Sequence, residues 1–424
     1  MEADSTTTSS MPVTGVKRGR RPSSQKTENP AKKMKLSFRH DRGWGQVLTV
    51  GQGDTGQLGL GEDVMEKSRP GLVEDIKEAV DAVAGGMHTA VLDKDGNVWT
   101  FGCNDEGSLG RVVEEEEECF LPGKVDIGEP IVMLSAGDSH TAALSETGQV
   151  YIWGTFRDSS GAIGLVDSMK IEKTPVKVLS NVHITKIVSG SDHLCMLSSD
   201  KQIWTMGNSE QGQLGRVNEK FAHRGGRRGL MALLKPEQVR VNFRSRISGF
   251  KDVWAGSYNT VARSDDDKIV VMGLNNYNQL ALPISKGLTF FMPHHSKELT
   301  SYSWRNIAIG QHHAICLEQV GDVYALGRQE YGRLGLGEGG TDATVPSKID
   351  NLDKCIEVAC GTAVSYAVTD DGDCLAWGMG TNGQLGTGEE VSWFYRCFIP
   401  KISNIWSKVV PHNFSSIKCI YLSL

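Results

Sequence analysis

A recurring pair of motifs constrains the fold of this chain more than any other feature. An apolar residue followed by Gly, and then by Gln-Leu-Gly or a variant of it, returns at intervals of 51, 52, 53, 66, 54 and 51 residues. The residues that mark this repeat are Gly51, Gly102, Gly154, Gly207, Gly273, Gly327 and Gly378. A fixed period of about fifty residues is typical of propellers and solenoids. It outweighs the two or three domains that a length of 424 residues would otherwise favour.

Each repeat reads as a short β-hairpin followed by a polar loop. In the unit that begins at Gly85, residues 89–92 are predicted to form one strand and residues 98–101 the next, with a turn between them that contains Gly96. No helical period is visible, which disfavours a helical solenoid. Several short strands per repeat are what a propeller blade requires, so the sequence predicts an all-β fold.

A companion motif, Gly-x-x-His or a degraded form of it, lies between the repeats but occurs six times instead of seven. Its histidines are His88, His140, His193 and His313, and Asn259 replaces the histidine in the fourth copy. We interpret these histidines as structural residues that hydrogen-bond neighbouring backbone. Residues 389–424 contain no Gly, and the seventh copy does not occur there. The sequence therefore predicts six well-formed blades and an incomplete or irregular seventh.

The charge of the chain is segregated. Residues 1–42 carry ten Lys or Arg and four acidic residues, which leaves 35 basic and 47 acidic residues for the remainder. Few large apolar residues occur in 1–42, so this tail is predicted to be disordered. Two basic clusters in it form a bipartite nuclear-import pattern and would also bind DNA phosphates; the alternative is a solubilising tail. Their residues are Lys17, Arg18, Arg20 and Arg21, then Lys32, Lys33 and Lys35.

Several classes of protein are disfavoured by the sequence. The nine Cys are odd in number and lack C-x-x-C spacing, so neither a disulfide framework nor a zinc site is expected. No run of 18 apolar residues predicts a membrane span, and the polar, basic first thirty residues do not read as a secretory signal. The absence of G-x-S-x-G, of a Walker loop and of metal-spaced His/Cys sets disfavours a hydrolase. We expect no metal, no cofactor and no covalent catalysis.

The chain resembles the regulator of chromosome condensation family over residues 45–388. The resemblance lies in segments such as GQGDTGQLGLGE (51–62), AGDSHTAAL (136–144), WGTFRDSSG (153–161), FAHRGGRRGL (221–230) and GQHHAICL (310–317). FRDSSG and FAHRGGRRGL fall in insertions and are more specific than the generic repeat. Proteins of this family are chromatin-bound guanine nucleotide exchange factors for the small GTPase Ran.

The resemblance implies a seven-bladed β-propeller over residues 43–388, between the tail at 1–42 and a divergent segment at 389–424. It also implies a monomeric nuclear protein on chromatin and chromosomes, where it would generate Ran-GTP for nuclear transport, spindle assembly and nuclear envelope formation. The nucleotide and magnesium would belong to the GTPase. One propeller face would bind Ran and the other the nucleosome, with the histone acidic patch, DNA phosphates and an import receptor as further partners.

The resemblance assigns roles to residues at matching positions. Three of them, Asp138, Asp192 and His312, match residues important for nucleotide exchange, with His312 in the position equivalent to Asp192. Residues 155–162 match a wedge that presses on the GTPase. Further GTPase contacts are implied for Asp54, Phe156, Arg157, Asp158, Asp167 and Arg216, with Asp167 where the family has Glu. Arg224, Arg227 and Arg228 match a loop that reaches the histone acidic patch.

Each of these assignments has a structural alternative. Asp138 and Asp192 could cap their own turns, His312 could be a hydrogen-bonded loop residue, and the two insertions could be ordinary surface loops. Three functional interpretations follow: an active exchange factor, a chromatin-binding scaffold without exchange activity, or a propeller of another branch such as a ligase adaptor or light sensor. In the family, the N-terminal segment and the last repeat share one blade. Loss of the last strands would leave an open sheet edge and lower stability.

Overall fold

The structure is a computed structural model, and it describes Leu36, residues 43–241 and residues 248–399. Its first two strands, β1 (Val47–Gln52) and β2 (Glu66–Val73), form a two-stranded antiparallel sheet. Six four-stranded antiparallel sheets follow along the chain. Within each, consecutive strands are neighbours, which is the meander of a propeller blade.

The six blades follow one another in chain order. Blade one has β3 (Ala79–Ala84), β4 (His88–Asp93), β5 (Val98–Gly102) and β6 (Gly123–Val125). Blade two has β7 (Ile131–Ala136), β8 (His140–Ser145), β9 (Val150–Gly154) and, after a separate hairpin of β10 (Phe156–Asp158) and β11 (Gly161–Gly164), β12 (Glu172–Val178). Blade three has β13 (Ile184–Ser189), β14 (His193–Ser198), β15 (Ile203–Gly207) and β16 (Glu237–Gln238). Blade four has β17 (Phe250–Gly256), β18 (Asn259–Ser264), β19 (Ile269–Leu274) and β20 (Thr289–His295). Blade five has β21 (Trp304–Ile309), β22 (His313–Glu318), β23 (Val323–Gly327) and β24 (Ala343–Lys348). Blade six has β25 (Cys355–Cys360), β26 (Val364–Thr369), β27 (Cys374–Gly378) and β28 (Trp393–Phe398).

Helices are few and short. The α-helices are α1 (Met231–Leu234) and α2 (Lys297–Thr300), and the 3-10 helices span Glu116–Phe120, Glu219–Phe221, Gly226–Arg228, Ile284–Lys286 and Glu330–Gly332. Within the described ranges no helix exceeds five residues, and none could cross a bilayer. The prediction of an all-β propeller is confirmed.

The number of blades differs from the family expectation. The described residues form six four-stranded blades, not seven. In addition, β28 is the fourth strand of blade six and pairs with β27, so the propeller continues past the boundary predicted at residue 388. That boundary was placed too early because the fourth strand of a blade carries no glycine motif.

The sheet of β1 and β2 lies between blade six and blade one. On one side, Gly45 forms a β-bridge with Ala79 of blade one. On the other, the loop between β27 and β28 of blade six donates the Gly388 N–H to the carbonyl of Ser68 at 2.8 Å. Among the residues that the structure describes, β1 pairs with β2 alone. The two strands are thus the N-terminal part of the blade that the sequence predicts to be incomplete.

Glycine at the end of each third strand explains the period of the sequence. Gly154 ends β9 with φ 95°, and an added Cβ would lie 2.2 Å from the carbonyl oxygen of Ser139. Beyond that glycine, the N–H of Thr155 donates to the same carbonyl at 2.9 Å. Because the chain crosses over the neighbouring loop at this contact, only Gly fits without a shift of the backbone.

The core lies between neighbouring blades. One buried cluster joins Leu92 and Val98 of blade one to Leu134 and Trp153 of blade two. The indole N–H of Trp153 donates to the carbonyl of Ser108 at 2.7 Å, so the polar atom of this large side chain is satisfied. The polar loop after the third strand of blade one therefore packs on blade two and ties the two blades together.

The repeat histidines link four pairs of neighbouring blades through side-chain hydroxyls, not through backbone as we expected. The Nε2 distances are 2.8 Å for His88 to Thr141, 3.1 Å for His140 to Ser189, 3.0 Å for His193 to Thr260 and 2.9 Å for His313 to Ser365. The Thr141, Thr260 and Ser365 hydroxyls donate to loop carbonyls. Since the hydrogens of these three hydroxyls are used there, the imidazoles of His88, His193 and His313 must donate from Nε2. The structural interpretation of these histidines is confirmed.

Burial keeps these histidines neutral. Their side chains lie within the inter-blade core, and loss of solvent lowers the pKa of His88 to about 4 and that of His140, His193 and His313 to about 3. The seam between blades four and five lacks the link, because Asn259 replaces the histidine and Ala314 replaces the hydroxyl residue.

The tail is described only at Leu36. Its N–H donates to the carbonyl of Glu146 at 2.8 Å, and its side chain packs against the core of blade two. The remaining residues of the predicted tail, including all seven basic residues assigned to nuclear import and DNA, lie outside the described residues.

Candidate functional site

The loops between first and second strands meet around a central cavity of about 650 Å³. Glycines such as Gly85, Gly137 and Gly190 line it. An added Cβ on Gly137 would lie 2.5 Å from the carbonyl oxygen of Gly190, so the narrowness of this ring explains the paired glycines of the sequence. Asp138 and Arg157 stand at its mouth. The mouth therefore carries charged side chains on a rigid backbone ring.

Asp192 and His312 occupy equivalent positions in blades three and five, as predicted. The carbonyl of Asp192 accepts the Asn208 N–H at 2.7 Å, and that of His312 accepts the Arg328 N–H at 2.9 Å. Tyr258 holds the same position in blade four, with its carbonyl bonded to Leu274 N–H at 3.0 Å. The equivalence is confirmed, whereas the roles of Asp192 and His312 stay predictions.

Asp138 and Asp192 form an interacting carboxylate pair. The Asp138 side chain is exposed but lies in the concave mouth, where the surrounding protein excludes solvent and raises its pKa. A hydrogen bond from Ser191 lowers the pKa but does not cancel this effect. Burial, and then the charge of Asp138, raise the pKa of Asp192 to about 7. Burial, and to a smaller extent the two carboxylates, raise the pKa of the Tyr258 hydroxyl. A cation brought to this mouth would therefore favour loss of a proton from Asp192.

Asp192 also holds the hairpin of β10 and β11. Its Oδ1 accepts the backbone N–H of Arg157 at 2.7 Å, so it bonds the insertion and not its own turn. The Arg157 guanidinium forms an ion pair with Glu106 of blade one. These contacts fix the hairpin above the acidic mouth. Residues 155–162, the segment that matches the wedge in sequence, thus fold largely as the hairpin of β10 and β11.

The side chains of three residues predicted to contact a GTPase are buried, namely those of Phe156, Asp158 and Arg216. Phe156 is fully buried and packs edge-on against His140 with ring centroids 4.6 Å apart, so it anchors the hairpin. The Arg216 side chain is 6% exposed, and its guanidinium donates to the carbonyls of Thr205, Ala232, Leu233 and Lys235. Burial lowers the pKa of Arg216 to about 10. The fold encloses these side chains, which argues against their assignment as contacts to a partner.

Other predicted contacts are accessible. Asp54 is exposed and accepts the Gln57 side-chain N–H at 3.1 Å, and Asp167 is exposed beside the end of β11. His312 is partly buried, and its ring lies edge-on to Tyr277 with centroids 5.1 Å apart. Burial, with the nearby Arg333 and Arg328, lowers the pKa of His312 and keeps it neutral.

The second insertion presents a basic loop, residues 219–230, between β15 and β16. Arg227 and Arg228 are exposed, with guanidinium carbons 5.7 Å and 4.3 Å from the centroid of Phe221. Arg224 instead forms two hydrogen bonds to Asp158 of the hairpin, at 2.9 Å and 3.1 Å. Arg227 and Arg228 are therefore exposed to an acidic partner, whereas Arg224 is engaged by Asp158.

The hairpin and the basic loop share one end of the propeller. The hairpin follows the third strand of blade two and the basic loop follows the third strand of blade three, so both leave the same end of neighbouring sheets. The bonds between Asp158 and Arg224 join them directly. This arrangement differs from the opposite faces that the resemblance implied for the two partners.

One grouping in the described part of the chain has the composition of a metal site. Ligand atoms of Asp158, Glu210 and His223 lie within 4.8 Å of one another. These atoms already bond to protein, since Arg224 binds Asp158, and Ser159 and His223 bind Glu210. The donor set is satisfied internally, so the arrangement fits a polar junction better than a cation site.

Sequence reasoning missed Glu106, Glu210 and Tyr258. Glu106 and Glu210 lie in the polar loops after third strands and bond to Arg157 and Ser159 of the hairpin. Tyr258 looked like a degraded repeat, although its position before the histidine step is the one that Asp192 and His312 occupy. Alignment of the six repeats on that step would have placed Tyr258 in the same position as Asp192 and His312.

Comparison with known proteins agrees with this geometry. Residues 46–414 match the sequence family described as the RCC1-like domain. The chain is 50% identical over 368 residues to the regulator of chromosome condensation of Homo sapiens, covering 85% of this chain and 86% of that protein. It is 30% identical over 396 residues to the guanine nucleotide exchange factor SRM1 of Saccharomyces cerevisiae, covering 81% and 79%. The crystal structure of Prp20p from Saccharomyces cerevisiae, described with its binding properties to Gsp1p and histones, is similar with a TM-score of 0.76 and 30% identity, covering 87% and 91%.

Proposed function

Because this chain belongs to the RCC1-like family, we propose that it is a guanine nucleotide exchange factor for the small GTPase Ran and acts while bound to chromatin. The observation that carries the proposal is the hairpin of β10 and β11, fixed by Asp192 above an acidic mouth. Relatives that cover most of this chain are named as regulators of chromosome condensation and as a guanine nucleotide exchange factor, which supports the same function here.

The proposed reaction makes and breaks no covalent bond. The acidic mouth at Asp138 and Asp192 suits a basic GTPase surface and would speed encounter. The hairpin would then press on the GTPase near its phosphate-binding loop and weaken its hold on the nucleotide. Because the factor binds the nucleotide-free GTPase better than the loaded one, linkage requires that it lower the affinity for nucleotide by the same factor.

Chromatin binding is proposed for the exposed arginines of the basic loop. Arg227 and Arg228 can form bidentate bonds with a carboxylate cluster such as the histone acidic patch. The binding of histones by Prp20p supports this part of the proposal. The basic clusters of the tail would add nuclear import and contacts to DNA phosphates. Ran-GTP would then form near chromosomes, where it serves nuclear transport, spindle assembly and nuclear envelope formation.

The test of exchange is release of fluorescent GDP from Ran in the presence of catalytic amounts of this chain. Release no faster than the spontaneous rate would refute the exchange function. In an active protein, Asp192→Ala should slow release but not abolish nucleosome pull-down, whereas Arg227→Ala with Arg228→Ala should weaken pull-down.

The second candidate is a chromatin-binding scaffold without exchange activity. It is favoured by the sheet of β1 and β2. Within the described residues this sheet has two strands, whereas each of the six blades has four. The same two assays separate the candidates, because a scaffold retains the pull-down and shows only spontaneous GDP release.

A further inference from the structure

The hairpin of β10 and β11 has little support of its own. It pairs Arg157 with Ala162 and Asp158 with Gly161 and, among the described strands, joins no other sheet. An isolated two-stranded hairpin is only marginally stable in water. Its base is held by the buried Phe156, so the position of its tip must depend on other contacts.

Glu210 holds one side of the tip. Its carboxylate accepts the Ser159 N–H at 3.0 Å and the Ser159 hydroxyl at 2.7 Å, and it bonds to His223 Nδ1 at 2.7 Å. Burial raises the pKa of Glu210, but the bonds from Ser159 and His223 outweigh it and lower the pKa overall. The ionised carboxylate of Glu210, which can only accept hydrogen bonds, thus suits the donors around it. Asn208 also holds the hairpin, because its side-chain amide donates to the carbonyl of Arg157 at 2.9 Å.

Arg224 holds the other side. Its Nε and Nη2 donate to the two carboxylate oxygens of Asp158 in a bidentate pair, and the Asp158 side chain is only 2% exposed. Asp158 Oδ1 also accepts the Ser160 N–H at 2.8 Å, which shapes the turn. The backbone of Arg224 has φ 49°, an uncommon value for a residue with a side chain. Arg224 therefore occupies a specific conformation that directs its planar donor pair at the hairpin.

We propose that Glu210 and Arg224 are positioning residues that hold the hairpin tip ready for the GTPase, an inference that rests on the proposed exchange function. Neither needs to touch the GTPase. A hairpin tip that is already ordered loses little conformational entropy when it binds the GTPase. More of the binding free energy is therefore available to displace the nucleotide. A mobile tip should not change how readily the GTPase associates with the acidic mouth. It should instead slow the displacement of nucleotide that follows association.

The test compares Glu210→Ala and Arg224→Ala with the wild type in GDP release from Ran. We expect kcat to fall about tenfold with KM within about twofold, since only the later step is affected. Glu210→Asp, which keeps the charge, should recover part of the rate. The matched control is Glu219→Gln, because Glu219 is an exposed acid of the same insertion with no described bond to the hairpin. Melting temperatures check that each variant is folded.

A second readout does not depend on exchange activity. The Ser159 N–H is bonded to Glu210, so hydrogen–deuterium exchange of a peptide covering residues 156–164 reports the order of the tip. Glu210→Ala and Arg224→Ala should speed this amide exchange, and Glu219→Gln should not. Faster amide exchange together with wild-type kcat would overturn the positioning role. Unchanged amide exchange would show that Glu210 and Arg224 do not hold the hairpin tip. If the wild type releases no GDP, the proposed function fails, and the amide rates still decide whether the two residues hold the hairpin.

Discussion

Acidification should weaken this propeller through its buried histidines, and His313→Asn isolates the effect at one seam. His313 is buried and neutral, and its folded pKa is about 3, whereas an unfolded chain binds this proton near pH 6.5. Because the folded pKa is lowered, its contribution to stability is complete above pH 6.5 and is lost as the pH falls below that value. The substitution copies Asn259, which the fold already accepts at the equivalent position of blade four.

The magnitude follows from linkage. Between about pH 7.5 and pH 5.5, one such histidine should lower the free energy of unfolding by about 1 kcal/mol. His88, His140, His193 and His313 together should lower it by roughly 5 kcal/mol. Asp192 acts in the opposite direction. Its folded pKa is raised to about 7, so the folded state takes up a proton and regains about 1.5 kcal/mol. The net loss of roughly 3 kcal/mol is a large part of the 5–15 kcal/mol typical of proteins.

The assay is urea unfolding of wild type and His313→Asn at the two pH values. Near pH 7.5 the variant should be less stable by about 1–2 kcal/mol, because it loses the bond to Ser365 in a buried seam. Near pH 5.5 this difference should shrink by about 1 kcal/mol, since the variant has one proton site fewer. The control is His294→Asn, whose imidazole is exposed. Equal losses of stability in wild type and His313→Asn on acidification would refute the reasoning.

Three further predictions follow from particular contacts. If the mouth binds a cationic partner, GDP release should rise about tenfold between about pH 6 and pH 8 as Asp192 ionises near pH 7, and Asp192→Asn should flatten that profile in the fluorescence assay. Arg216→Met should lower the melting temperature by several degrees, with little change in KM for Ran, because the guanidinium binds carbonyls within the chain. Asn259→His combined with Ala314→Thr should stabilise the chain by about 1 kcal/mol in urea unfolding, more than the sum of the single changes, because it builds the missing inter-blade link.

The sequence predicted the blades well because their signals are local. Glycine at a third-strand end, as at Gly154, is required by a contact with a residue about fifteen positions away, so it recurs with every repeat. The fourth strand makes no such contact, and β28 had no sequence signal to mark it. The boundary predicted at residue 388 therefore came too early.

The site was predicted less well because burial depends on the whole fold. Phe156 and Arg216 carry residue types that suit a binding surface, yet the neighbouring blade and α1 enclose them. Asp138 and Asp192 could be placed from the motif, but the pKa of Asp192 depends first on its burial in the fold and then on the charge of Asp138 in the adjacent blade. Glu210 had no signal at all, because its partner Ser159 is 51 residues away on another insertion.

The weak seams of the ring lie away from the hairpin. Blades one, two and three are joined by the links from His88 and His140, and blade three is joined to blade four by that from His193. The link is missing between blades four and five, and blade six has Val364 at the histidine step beside the two-stranded sheet. Asp138, Asp192 and the hairpin sit on blades two and three, within the continuously linked part. An incomplete closing blade should therefore lower stability before it disturbs the hairpin, and GDP release per folded molecule should persist as the melting temperature falls.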